Sequence, residues 1–499
     1  MPVPGSIAVL GGGLTGLSAA FHLSRRFPTT TITLINKETR FGGWVRSERV
    51  KADHQDAEVL LEAGPRTLRP NARSVLELIH LLDLTPSLLT VPKSAPAAKN
   101  RFLYIPGSQG IHRIPSSPLE VISSLLAPNA HLGRTLLSSL LREPLKQRNR
   151  PLGIDDESVD DFFTRRFGAE FARLFGSALV HGIYAADSRK LSLRATFPSM
   201  WDAEERGRGS ALLGFLRAPT PSQLTENTSY DLGDLQEKMR DVSVFTFKNG
   251  MGTLVNTLVS YLRKQPNVHM YSGVRIMSLR LNSRNNRFEV TTSSQETLLP
   301  THVVSALPLP ELRQVLSPAT PLPHLTTNTY SSVTVVNLVF GLSPSSSLPL
   351  HPDGFGYLVP RPRDGYVASR GSGILGCVFD SSSTAAQDTP GLVKMTVMLG
   401  GPYICGSVSP PQVDVPNLLS ELAHQLGRPL PSPLFVKVHS NTRCIPLYAV
   451  GHLQRMEELK RTLASEPWNG RLEVVGAGVL GVSVGDCVEA GRSVGRTWG

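Results

Sequence analysis

Ser6-Ile-Ala-Val-Leu10, followed at once by Gly11-Gly12-Gly13-Leu14-Thr15-Gly16, is the stretch on which the reading of the fold turns. The five residues before the glycines read as a short buried strand. Beyond them Leu14, Leu17, Ala20 and Leu23 recur at helical spacing. The G-x-G-x-x-G pattern therefore stands after a strand and at the opening of a helix, where its chemistry requires it. Gly11 permits the tight turn, Gly13 lets backbone approach a pyrophosphate, and Gly16 lets the helix pack close to the sheet. The helix N-terminus offers free N–H groups and a positive dipole end to phosphate. That setting favours dinucleotide binding over a plain glycine-rich strand-to-helix turn. The second strand is Thr31-Ile-Thr-Leu-Ile35. An Asp or Glu is expected about 20 residues after the last glycine, to hold the ribose. Asn36 and Lys37 occupy that position here, with Glu38 behind them. Asn36 can accept a hydroxyl hydrogen bond, without charge assistance.

Working outward, Arg40-Phe41-Gly42-Gly43-Trp44 comes next. Two glycines so soon after the second strand can serve an ordinary hairpin turn. They also resemble the R-x-G-G loop of FAD enzymes of the amine oxidase and carotenoid desaturase group, where backbone runs close to the cofactor. At the other end, Arg471-Leu-Glu-Val-Val-Gly476-Ala477-Gly478 reads as a strand ending in small residues. The segment Gly481-Val-Ser-Val-Gly485-Asp486 reads as a helix start. The same resemblance implies that this last strand and helix return beside the first unit and aim a helix dipole at the flavin.

The middle of the chain is more specific. Gly64-Pro65-Arg66-Thr67-Leu-Arg-Pro70, Asn100-Arg101-Phe102-Leu103-Tyr104, His181-Gly182-Ile-Tyr-Ala-Ala-Asp187 and Gly354-Phe355-Gly356-Tyr-Leu358-Val-Pro360 appear in order, with Val397-Met398-Leu-Gly-Gly401 and Cys444-Ile-Pro-Leu-Tyr448 after them. Together these segments resemble the protoporphyrinogen oxidases of mitochondrial type, the FAD enzymes of the penultimate step of haem synthesis, from about residue 5 to 495. The resemblance implies one FAD per chain, without covalent linkage. Its contacts would be Gly11, Gly12, Gly13, Leu14, Thr15, Gly16, Asn36, Lys37, Gly42, Gly43, Trp44, Gly64, Pro65, Arg66, Thr67, Val274, Ala477, Val482, Ser483 and Val484. Arg101 matches an arginine facing a substrate propionate. Phe355 and Leu358 match apolar residues packing on the tetrapyrrole, and Gly182 lines the same cavity with Met398 nearby. An apolar macrocycle with carboxylate tails needs such a wall and at least one cation. Without the resemblance, Arg101 reads as a surface arginine and Phe355 as a core aromatic. His181 is left unassigned, and no catalytic side chain is named, because the redox chemistry belongs to the flavin.

The implied fold is α/β, with a Rossmann-like FAD-binding domain of the amine oxidase type in three pieces (1–90, 245–310 and 435–499). A mixed-sheet substrate domain (91–99, 206–244 and 311–434) and a helical membrane-binding domain (100–205) complete it. Residues 207–241 read as a mobile loop. The chain has 499 residues, 40% hydrophobic and 18% charged, which excludes disorder for the bulk. Lys and Arg number 51 against 40 Asp and Glu, a formal charge of +11. That excess suits nucleic acid, an anionic membrane or an acidic ligand equally. Between Lys99 and Arg150 eight basic residues face two acids, interleaved with Leu119, Leu125, Leu126, Leu132, Leu136, Leu137, Leu140 and Leu141. This pattern fits an interfacial membrane contact or a helix packed on its own protein. No apolar run reaches the roughly 18 residues of a membrane span. The resemblance favours the membrane: the mitochondrial inner membrane, on its intermembrane-space side. It adds protoporphyrinogen IX and dioxygen as reactants, with a second copy of the chain and ferrochelatase as partners, and no nucleic acid. Cys377, Cys405, Cys444 and Cys487 form no C-x-x-C, so reduced buried thiols are expected. No histidine spacing suits a metal. An amine or polyene oxidase of the same fold, and a non-catalytic FAD-binding membrane adaptor, remain rival readings.

Overall fold

In the computed structural model, residues 3–52, 57–115, 120, 130–150, 153–217, 229–282, 287–341, 349–366, 371–404 and 412–498 are described. Leu119, Leu125 and Leu126 of the basic, leucine-rich stretch lie outside them, as do Cys405 and residues 218–228. The first architectural unit is a five-stranded parallel sheet. Its order is Leu472–Val474, His302–Ser305, Ser6–Leu10, Thr31–Asn36, Val268–Ser272. The strand Ser6–Leu10 is central and buried, which is why it reads as a nearly continuous apolar run. The helix Leu14–Arg26 leaves its C-terminal end and packs against the helix Val484–Ser493. The contact is close because Gly491 carries no side chain. A methyl there would stand 2.5 Å from the Thr15 carbonyl oxygen. Ser18 Oγ donates to the Val488 carbonyl at 2.8 Å.

The second unit is a seven-stranded sheet, ordered Phe435–Leu447, Thr329–Gly341, Leu392–Gly400, Ile374–Val378, Gly356–Leu358, Phe102–Leu103, His112–Arg113. All its pairings are antiparallel except Gly356–Leu358 with Phe102–Leu103. Two boundaries differ from the sequence expectation. Phe435–Leu447 pairs along Thr329–Gly341 and so lies with residues 311–434, not with the nucleotide sheet. The helical segment expected from residue 100 opens with two strands of two residues each, too short for periodicity to reveal. Residues 207–241 hold helices Ala211–Leu216 and Leu235–Lys238 where a loop was expected.

The helical part packs Val159–Phe167, Ser177–Tyr184, Pro198–Arg206 and Ala130–Arg142 around an aromatic core of Phe162, Phe163, Phe171, Tyr184 and Trp201. Much of its basic charge is consumed internally. Arg166 and Glu143 form a fully buried pair at 2.8 Å. Arg165 binds Glu157 and Glu204, Arg150 binds Glu204, and Arg113 binds Glu120. No helix among the described residues is long and apolar enough to cross a membrane. Cys377, Cys444 and Cys487 are free thiols.

Candidate functional site

The glycine turn is built by exclusion of side chains. Gly11 adopts φ +103°, a conformation that favours glycine. A methyl on Gly16 would stand 1.9 Å from the Gly11 carbonyl oxygen, and one on Gly12 2.5 Å from Phe41. Gly13 is different: a methyl there meets nothing within 4 Å. Protein fills the space around two of these glycines and leaves the third facing open room. Gly13 is also the N-cap of its helix and has no side chain to satisfy the first N–H groups. Open space over an uncapped helix start fits a dinucleotide's phosphates.

The second glycine loop is zipped to the first. Gly42 N–H donates to the Gly12 carbonyl at 2.8 Å, and Gly13 and Gly42 form a parallel bridge. Arg40 clamps the loop by donating to the carbonyls of Phe41, Gly43 and Val45 at 2.9, 2.5 and 2.8 Å. Asn36 is the hub between the two loops. Its Oδ1 accepts from Gly12 N–H at 3.1 Å, and its Nδ2 donates to the carbonyls of Glu38 and Arg40 at 2.9 and 2.8 Å. Lys37 pairs with Glu311 at 2.8 Å. The two residues at the ribose position are therefore occupied with protein partners: Asn36 shapes the cradle, and Lys37 points to a neighbouring helix. Val274 follows the edge of the sheet and donates its N–H to the Asn36 carbonyl.

A third wall comes from Gly64-Pro65-Arg66-Thr67. Gly64 passes so close to Trp44 that a methyl would stand 2.2 Å from its carbonyl oxygen, and the Trp44 side chain is half exposed beside it. Three ties hold this loop to the seven-stranded sheet. Arg66 reaches buried Asp380 at 3.0 Å, Asn441 Nδ2 donates to the Ala63 carbonyl at 2.9 Å, and Asn337 Nδ2 donates to the Glu62 carbonyl at 3.4 Å. Glu62 is buried and accepts from Met251 N–H and Ser47 Oγ, both at 2.8 Å. Burial pushes its carboxyl up to about 7, against the pull of those bonds and of Arg66 and Lys394. On the far side, Ala477 accepts a hydrogen bond from Tyr448, Val482 packs on the helical core, and Val484 opens the helix Val484–Ser493. Ser483 and Asp486 close a reciprocal capping box there, with Ser483 N–H donating to Asp486 Oδ2 at 3.0 Å. Unlike the helix after Gly13, this terminus carries its own carboxylate, so the free dipole expected of it is partly matched within the protein.

The apolar wall assembles on the seven-stranded sheet. A methyl on Gly182 would stand 2.9 Å from the Leu358 side chain, and one on Gly376 3.0 Å from it. Gly376 pairs with Met398 across the next strands. Gly182, Leu358 and Met398 are thus brought onto one surface through Gly376, a residue the sequence reading passed over. Phe355 is hung between two strands, donating its N–H to Asn100 and accepting from Phe379 N–H at 3.0 Å. The Arg101 guanidinium lies 4.9 Å from the Phe355 ring centroid. Arg101 is half-buried, and burial lowers its pKa, with Arg69 adding repulsion. Among the described residues it has no carboxylate partner. His181 is buried and engaged at both nitrogens, by the Val359 carbonyl at 2.6 Å and Tyr366 hydroxyl at 2.8 Å. Burial pulls it down to about 4, which keeps it neutral.

The chain matches the model of the flavin containing amine oxidoreductases over residues 14–496. It is 35% identical to a protoporphyrinogen oxidase of Macaca fascicularis over 505 aligned residues, covering 98% of this chain and 97% of that protein. It is 32% identical to the protoporphyrinogen oxidase of Schizosaccharomyces pombe, covering 98% of each. Among solved structures, a putative protoporphyrinogen oxidase from Exiguobacterium sp. 255-15 superposes with a TM-score of 0.76 at 20% identity, over 99% of this chain and 98% of that one.

Proposed function

The chain belongs to the flavin containing amine oxidoreductases, and within them to the protoporphyrinogen oxidases, and from that premise we propose that it oxidises protoporphyrinogen IX to protoporphyrin IX with dioxygen as final acceptor. Three two-electron rounds remove six hydrogens from the macrocycle, and three dioxygen molecules become three hydrogen peroxide molecules. The observation that carries this reading is a half-buried guanidinium, Arg101, with no acidic partner among the described residues, stacked on Phe355 beside an apolar wall. A puckered apolar ring with carboxylate tails suits that pair of features.

FAD, when bound, supplies the hydride-accepting chemistry. Around it the glycine loops of Gly11–Gly16 and Gly42–Gly43 present backbone. The loop Gly64–Thr67 and the segment Ala477–Val484 close the cradle. Gly182, Leu358 and Met398 leave the space for the ring and exclude water from it. Phe355 supports the Arg101 guanidinium, which orients the substrate through one propionate. His181 supports the wall and moves no proton, because both ring nitrogens are engaged and the ring is neutral.

The surface reading is a monotopic contact with the mitochondrial inner membrane, on the intermembrane-space side. Its support is an exposed apolar rim. Leu145 and Leu216 are each 84% exposed, with Leu141 and Phe215 beside them in sequence. Glu143 ties the two stretches together by accepting from Ser210 Oγ at 2.6 Å and Ala211 N–H at 2.9 Å. A second copy of the chain and ferrochelatase are the partners this reading carries. Anaerobic mixing tests the activity. Protoporphyrinogen should bleach the flavin, and air should then restore it with fluorescent porphyrin and peroxide. Bleaching by amines or polyenes alone would move the chain to another branch of the fold. No bleaching by any donor would leave an adaptor.

A further inference from the structure

We propose that Tyr448, Asn328 and His452 are positioning residues for the flavin end of the cofactor, acting through the backbone of residues 477–479; this rests on the flavin reading above. The three side chains hold three consecutive carbonyls. The Tyr448 hydroxyl donates to Ala477, Asn328 Nδ2 to Gly478 at 3.0 Å, and His452 Nε2 to Val479 at 3.1 Å. They come from separate places in the fold. Asn328 precedes the strand Thr329–Gly341, Tyr448 follows the strand Phe435–Leu447, and His452 opens the helix His452–Ala464. All three are buried, and the Tyr448 and His452 rings stack with centroids 4.1 Å apart.

The segment they hold lies at the glycine turn. Val475 N–H donates to the Ser305 carbonyl at 2.9 Å, and Ser305 pairs with Leu10, the residue before the glycines. Gly476 takes φ +112° just past the end of its strand. A methyl on Gly476 would stand 3.7 Å from Thr15 Oγ1.

A trans peptide group is planar, so its N–H points opposite to its C=O. Tyr448 fixes the plane between Ala477 and Gly478, which aims the Gly478 N–H away from the Tyr448 hydroxyl. The Gly476 carbonyl accepts from Val479 N–H at 3.0 Å, which fixes the plane before it and with it the Ala477 N–H. Among the described residues neither of these two N–H groups has an acceptor, and neither residue is fully buried. Every carbonyl from Gly476 to Val479 is taken, while two donors beside the cradle are held in fixed directions. That asymmetry suits a ligand that presents acceptors, as the carbonyl oxygens and ring nitrogens of a flavin do. Donors fixed before the ligand arrives need no reorganisation to bind it.

The test titrates full-length, flavin-free protein with FAD, read by flavin fluorescence, and with ADP, read by calorimetry. ADP carries the adenosine and pyrophosphate without the flavin ring. Tyr448→Phe and Asn328→Leu should each weaken FAD by about threefold to thirtyfold and leave ADP unchanged. His452→Gln can still donate to the Val479 carbonyl and should hold FAD within about twofold of wild type, whereas His452→Leu should not. Wild-type FAD affinity in Tyr448→Phe and Asn328→Leu would overturn the proposal. Equal losses of FAD and ADP would also overturn it, and would make the three a structural clasp alone. Wild-type protein that takes up neither FAD nor ADP would take down the flavin reading itself.

Discussion

Replacing Gly13 by alanine separates the two tasks of the glycine turn. Gly13 has φ −71° and ψ 180°, which alanine adopts without strain. A methyl there meets no protein atom within 4 Å, so folding should change by less than about 0.5 kcal/mol. Gly16 is the control. Its methyl would stand 1.9 Å from the Gly11 carbonyl oxygen, well inside the carbon–oxygen contact of roughly 3.3 Å. Backbone faces backbone there, so strand and helix must part by more than 1 Å, at a cost of about 1–3 kcal/mol or more. If the free space above Gly13 belongs to the cofactor, the same kind of overpacking falls on FAD instead, about 5- to 150-fold in affinity. Urea unfolding of flavin-free protein and FAD titration by fluorescence read the two costs apart. Gly13→Ala should keep the wild-type midpoint and lose FAD, whereas Gly16→Ala should lose both. Wild-type FAD affinity in Gly13→Ala would refute the reasoning.

Glu62→Gln addresses pH. Because burial lifts the Glu62 carboxyl from 4.5 to about 7, the folded state keeps a proton that the unfolded chain has already lost. Its contribution to stability is therefore whole below pH 4.5 and lost as pH rises to about 7. The glutamine variant should gain on wild type across that window, by up to about 3 kcal/mol in urea melts; parallel curves would exclude this. Glu143→Ala strands the fully buried Arg166 and should cost about 3–5 kcal/mol, whereas Glu143→Leu with Arg166→Met should cost less in the same melt, the remainder coming from Ser210 Oγ and Ala211 N–H left without their acceptor. Leu145→Ser with Leu216→Ser should release the protein from vesicles of anionic lipid without altering flavin content; undiminished flotation with the vesicles would place the contact elsewhere.

The glycine turn was legible because everything it needs is local: strand, glycines and helix lie within one short stretch. The three strands that complete the parallel sheet on either side of it, His302–Ser305 and Leu472–Val474 on one flank and Val268–Ser272 on the other, arrive from far along the chain. Periodicity alone names no partner for them. Phe435–Leu447 shows the same limit, since its alternation suits either sheet and only the pairing with Thr329–Gly341 decides. Asn36 was read as a ribose ligand because of its place after the second strand. Its side chain could equally bind backbone, and the neighbouring Gly12 N–H and Arg40 carbonyl were invisible as partners in one dimension. Gly376 was passed over because an isolated glycine in a strand gives no sign of the side chain across from it. The Arg101–Phe355 stack joins residues 254 positions apart, and only the family resemblance had set them in one cavity.

The parallel sheet takes its first strand from Ser6–Leu10 and its last from Leu472–Val474. A ribosome making about 5–20 residues per second needs roughly half a minute to a minute and a half to travel between them. Throughout that interval the nascent nucleotide half must wait with an open flank. Completion of the cradle is therefore a late event in biosynthesis: a polypeptide interrupted before Leu472 carries both glycine loops but lacks the last strand and the helix Val484–Ser493 that packs on the first one.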